Sequence, residues 1–181
     1  MANAIGKSGG GGRGSLWRAA GWGIAGLLLL VPVIGNFPWT AMDYVFAAVM
    51  IGGTGLLFEW AIRKSGNLAY RAGIAAALAG AFMTLWANAA VGMIGPEDNP
   101  YNLLFGGVLL IALAGSIVAR LRPAGMVWAM AAAAVAQVAA GAGGLGADPR
   151  GAVLSMGFGG IWALAALFFW AAGRQGTLRG D

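Results

Sequence analysis

Neither cysteine nor histidine occurs anywhere in the 181 residues, which removes the thiolate and the imidazole from the available chemistry. Disulfides are excluded, and haem ligation, zinc sites, a Ser-His triad and imidazole ligation of a chlorophyll magnesium all lose their usual protein ligands. The sequence therefore predicts no catalytic set, no metal and no cofactor. A quinone, carotenoid or lipid lying along an apolar groove would leave no motif. The carboxylates are Asp43, Glu59, Glu97, Asp98, Asp148 and Asp181. Of these Glu59 is the one set well inside an apolar run, where an inward-facing acid could relay protons. It precedes Arg63 by four residues, a favourable helical spacing, so an interfacial ion pair is the preferred reading. Thr54, Thr84, Asn88, Ser116, Gln137 and Ser155 are the uncharged polar side chains within the apolar runs. Thr84 and Gln137 fall at matching depth on runs of the same direction, with Asn88 one turn beyond Thr84, a pattern that suits an interhelical clasp. Trp86 and Trp162 also lie deep, and a deep indole needs a partner for its N–H or a cavity to point into. Trp86, Asn88, Gln137 and Trp162 are thus the candidates for a solute cavity, should one exist.

The elements that position these residues follow from composition. With 60% hydrophobic and 9% charged residues, a chain of this length could not keep its apolar side chains off a water-facing surface. A hydrocarbon layer of about 30 Å needs roughly 20 apolar residues per helical crossing. Six runs qualify: 16–34, 40–62, 71–94, 102–121, 124–145 and 151–172. The predicted fold is an all-α, polytopic bundle of six transmembrane helices. Lys7, Arg13, Arg18, Arg63, Lys64, Arg71, Arg120, Arg122, Arg174 and Arg179 mark one side and only Arg150 the other. Cationic short loops stay cytoplasmic, so both termini are predicted inside. The net charge of +5 is spread over membrane-flanking turns, which argues for anionic headgroups and against nucleic acid. Residues 1–15 read as a flexible, Gly-rich basic tail and 173–181 as a short cytoplasmic one.

The turns carry starting chemistry. Thr40 and Asp43 form a capping box, while Asn99 before Pro100 and Asp148 before Pro149 each place an acceptor ahead of a residue with no N–H to satisfy. Glu97 and Asp98 add charge to the same positive helix end. The alternative is convergence of Asp43, Glu97 and Asp98 on an external cation or partner. Trp17, Trp60, Tyr70, Trp128 and Trp170 near one boundary, with Phe37, Trp39, Tyr44 and Tyr101 near the other, predict interfacial belts. Small residues four apart, such as Ala76 with Gly80, Ala112 with Ser116 and Ser155 with Gly159, predict close helix approach without naming the neighbour.

Trp39 to Tyr44, the segment W-A-N-A-A-V-G-M-I-G-P-E-D-N-P-Y-N at 86–102, Arg71-Ala72-Gly73 and Arg122-Pro123-Ala124-Gly125-Met126 resemble a family of small, uncharacterised multi-span inner-membrane proteins of proteobacteria. The resemblance covers roughly the middle half of the chain and implies a bacterial inner membrane and a shared fold, with no assigned activity. It draws interest to Trp86, Asn88, Glu97, Asp98, Asn99 and Asn102 as polar members of the long motif. The function expected is that of a non-catalytic accessory or assembly subunit, with membrane lipids and other integral subunits or further copies of itself as partners. A small-solute or lipid carrier with a cavity near Trp86, Asn88 and Gln137 is the alternative. An intramembrane enzyme, restricted to Glu59 or the acidic loop, ranks last.

Overall fold

A computed structural model describes residues 11–177, and every regular element among them is helical. In chain order these are α1 (Gly11–Ile34), α2 (Ala41–Ile62), α3 (Leu68–Ala90), a 3-10 turn (Pro100–Asn102), α4 (Leu103–Val118), α5 (Pro123–Gly143) and α6 (Pro149–Thr177). Among the described residues five stretches are long and apolar enough to cross a membrane: Ala41–Ile62, Leu68–Ala90, Pro100–Val118, Pro123–Gly143 and Pro149–Gln175. The first of the six expected crossings falls on α1, 24 residues long, whose described side chains include the apolar stretch Arg18–Ile34. Outward-facing residues match a lipid-facing surface: Val118, Trp128, Leu103 and Ile34 are all more than three-quarters exposed.

The helix ends differ from the sequence reading for identifiable reasons. α3 begins three residues early because Asn67 caps it, its side chain accepting from the Tyr70 amide at 3.1 Å. Asn99 caps as expected, taking the Tyr101 amide at 3.1 Å, but it opens a 3-10 turn that precedes α4 proper. α4 stops at Val118 because Arg120 (φ 50°) and Leu121 (φ 58°) both turn left-handed to reverse the chain into Pro123. The Tyr70 hydroxyl fastens that turn by donating to the Leu121 carbonyl at 3.1 Å. The predicted C-terminal tail is helical as far as Thr177, and 178–181 lie outside the described residues. Of the predicted N-terminal tail, residues 1–10 lie outside them, and α1 has already begun at Gly11.

The chain divides into two units, Met1–Leu57 and Phe58–Asp181. In the first, Trp22 of α1 lies over Gly55 of α2, where an added Cβ would be 3.2 Å from the ring. The Thr40–Asp43 box closes the start of α2, with the Asp43 carboxylate accepting from the Thr40 amide at 2.7 Å and hydroxyl at 2.8 Å. Trp39 and Tyr44 meet edge to face at 5.3 Å.

The second unit holds the main core: Tyr70, Ile74, Val108, Met126, Met130, Trp162 and Phe169 among others, joined by Ala61 from the end of α2. Its helices pack antiparallel and close. Phe169 lies on Gly73 and Trp162 on Gly80, where a Cβ would stand 3.0 and 3.2 Å from the rings. On the other seams Gly115 faces Ala129, Gly125 faces Ala119, Gly141 faces Met156 and Gly159 faces Val138. These contacts identify the neighbours that small-residue spacing left open. In the Ala112–Ser116 pair, Ala112 is buried in the core and the Ser116 hydroxyl donates to the Ala112 carbonyl of its own helix at 2.7 Å. Tyr70, expected as an interfacial ring, is covered by its neighbours. It is 3% exposed and packs edge to face on Phe169 at 5.5 Å.

Candidate functional site

The polar atoms of the second unit form one connected seam. It begins deep between α3 and α5, where the Thr84 hydroxyl donates to Gln137 Oε1 at 3.5 Å, a long bond. Gln137 Nε2 donates to the Ser155 carbonyl of α6 at 3.1 Å. Ser155 Oγ in turn donates to the Met93 carbonyl at 3.2 Å, which carries the seam into the segment after α3. Thr84, Gln137 and Ser155 are all at most 1% exposed, so each bond replaces an otherwise costly unsatisfied group.

The segment between α3 and α4 is folded inward, burying Met93 and Ile94. Such a path leaves backbone donors that only side chains can reach. Asn102 Oδ1 accepts from the Met93 amide at 3.1 Å and the Ile94 amide at 2.9 Å, while its Nδ2 donates to the Pro96 carbonyl at 2.9 Å. Asn99 Nδ2 donates to the Ile94 carbonyl at 2.8 Å. Gly92 (φ 76°) and Gly95 (φ 66°) supply the left-handed turns, and a Cβ on Gly92 would meet the Gly95 carbonyl oxygen at 2.5 Å. Asp148 closes the segment from outside, its carboxylate accepting from the Gly95 amide at 3.0 Å and the Gly151 amide at 2.9 Å. Those amides, Gly151's first, hold the Asp148 carboxyl below its ordinary value of 3.8. Tyr101 Oη donates to the Ala140 carbonyl at 2.8 Å and ties the start of α4 to α5.

The polar members of the long motif therefore divide. Asn99 and Asn102 hold the inward fold. Glu97 and Asp98 are exposed on its tip, and Asp43 belongs to the other unit. The Thr84–Gln137 clasp forms, but Asn88 is not in it: Asn88 Oδ1 is buried with no hydrogen-bond partner among the described residues. Trp86 stacks on Phe82 at 5.7 Å, and two residues' separation puts it on a different face of α3 from Asn88. Trp86 thus does not share a face of α3 with Asn88. Trp162 is 1% exposed against Gly80, and its indole N–H also has no partner among the described residues. Glu59 takes Arg63 at 3.4 Å, as the spacing predicts. Among the described residues no group of three or more His, Cys, Asp or Glu could hold a metal ion.

Sequence reading missed three parts of this arrangement: Asn67 as a cap, Tyr101 as a strut, and the reach of Asp148 back to Gly95. The first had a signal, an Asn just before an apolar run. The others join residues 39 and 53 positions apart, for which no local pattern exists.

Among the described residues, the fold and the seam define an all-helical arrangement with five helices long and apolar enough to span a membrane and a hydrogen-bonded interior. Comparison with family models, curated proteins and solved structures returned no match.

Proposed function

We propose that this chain is a non-catalytic integral protein of a bacterial inner membrane, with both termini cytoplasmic, that packs as an accessory or assembly subunit within a larger membrane complex. The observation that carries this reading is the use of glycine in α1 and α2. An added Cβ at Gly21, Gly23, Gly26, Gly52 or Gly53 would meet none of the described residues of the first unit within 4 Å. Each such glycine weakens a helix by about 1 kcal/mol relative to alanine, and among the described residues of its own unit no close contact offsets it. Close approach of a neighbouring helix is the return that membrane helices draw from such positions. The buried polar side chains support the same reading, because Thr84, Gln137, Ser155 and Asn102 all serve internal hydrogen bonds.

Mild-detergent purification at native expression, followed by identification of co-migrating proteins, tests it. The Gly52→Leu, Gly53→Leu double variant should keep its fold and lose its companions. A wild-type protein that runs alone with a small molecule bound beside Asn88 would contradict the proposal. That outcome would favour a carrier, the second reading, which draws on the two unmatched buried atoms, Asn88 Oδ1 and Trp162 Nε1.

A further inference from the structure

One end of the second unit gathers positive charge beside exposed apolar surface. Three contacts bring its strands of chain together there: Tyr70 Oη bonds the Leu121 carbonyl at 3.1 Å, Asn67 Nδ2 bonds the Ala172 carbonyl at 3.4 Å, and Gly173 lies against Pro123. The start of α3, the α4–α5 turn and the end of α6 therefore meet, and they carry Arg71, Arg120, Arg122 and Arg174. Arg120 and Arg122 are placed on either side of the left-handed Leu121. Among the described residues of this unit, Glu59 is the one carboxylate on the same side, and it takes Arg63. The others, Glu97, Asp98 and Asp148, belong to the loops at the opposite end.

The neighbouring surface is apolar. Val118 is 83% exposed and Trp128 78%, one within a turn of Arg120 and the other within two turns of Arg122. Arg174 lies over the Trp170 ring at 4.7 Å, so its guanidinium is held at the seam between the charged rim and the apolar wall. A soluble polyanion would be matched by the cations alone, whereas here exposed indole and branched aliphatic side chains continue directly from them. A phosphate joined to acyl chains matches both.

We propose that this rim binds an anionic phospholipid, its phosphodiester held by Arg120, Arg122 and Arg174 and its chains laid along Val118 and Trp128. The assignment rests on the membrane reading above and adds a headgroup preference to it. Purified protein reconstituted in phosphatidylcholine nanodiscs doped with phosphatidylglycerol, then released for native mass spectrometry, reads the lipid that stays bound. Wild type should retain phosphatidylglycerol over phosphatidylcholine, and Arg120→Gln with Arg122→Gln should cut that preference by at least about tenfold, at roughly fivefold per arginine. Arg150→Gln, at the opposite end, should leave it unchanged. Circular dichroism of each variant checks that the helices persist. Equal retention of the two lipids by wild type, or a preference indifferent to Arg120 and Arg122 but lost with Arg150, overturns the assignment. Failure to enter nanodiscs at all would instead overturn the membrane reading beneath it.

Discussion

Glycine does opposite things in the two units. In Phe58–Asp181, Gly73, Gly80, Gly115, Gly141 and Gly159 each face another helix, and Gly125 the turn at Ala119, at a distance that a Cβ would invade. In Met1–Leu57, only Gly55 among the described helical glycines touches a neighbouring helix of that unit, through Trp22, and a Cβ at Gly21, Gly23, Gly26, Gly52 or Gly53 would meet no described residue of the unit within 4 Å. The second unit also has open glycines, Gly106, Gly107, Gly157 and Gly160, so residue type alone does not separate the two. What separates them is whether the lost side chain is matched by contact inside the glycine's own unit. Where it is, glycine cements a bundle; where it is not, the position is suited to a contact from outside.

Substitution should break or sharpen this contrast. The largest effect is expected at Gly141→Val, because the first added carbon lies 3.0 Å from both the Ala152 carbonyl oxygen and the Met156 nitrogen, and backbone cannot swing aside. Thermal unfolding in detergent should show a loss of about 3 kcal/mol, the upper range for overpacking a tight core. Asn102→Ala should cost on the order of 2 to 3 kcal/mol, since it strands the buried Met93 and Ile94 amides together. Proteolysis within 91–99 should accelerate in the same variant.

Gln137→Ala comes next, at about 1 kcal/mol, while Asn88→Ala, which forfeits no acceptor bond at Oδ1, should be close to neutral. If the double variant loses much more than the sum, the two amides share a partner after all. The effect of pH should be smaller. A carboxyl whose pKa is lowered on folding stabilises the native state above its unfolded value, and that contribution fades as pH falls through the folded one. Loosening of the 91–99 segment, followed by hydrogen exchange, should therefore grow below about pH 4 and be absent from Asp148→Asn. Gly52→Leu should leave the unfolding temperature of the isolated chain unchanged, and a clear drop would show that α2 is already packed at that face.

Helices were legible because their signals are local. The 40–62 run became Ala41–Ile62 almost residue for residue, with Thr40 and Asp43 capping it as their spacing required. The Glu59–Arg63 pair is equally local. Depth was legible for Thr84 and Gln137 because helical rise is uniform. The role of the long motif was not. Its acidic residues, Glu97 and Asp98, attract the eye, yet Asn99 and Asn102 do the holding, because the backbone turns inward at Gly92 and Gly95 and leaves amides to satisfy. Position-specific φ angles and long-range acceptors such as Asp148 arise only once the helices have packed. Tyr70 shows the same limit: its place near a run's end suggests an interfacial ring, but the crossing of α3 with α6 buries it.

Labelling from opposite sides tests the central claim, that lipid surrounds these helices and that the charged turns alternate across it. The absence of native cysteine makes single reporters clean, so Glu97→Cys and Arg120→Cys in intact cells can be probed with a membrane-impermeant maleimide. Position 97 should react from outside, and position 120 only after the membrane is breached. Equal labelling of both from one side would contradict it.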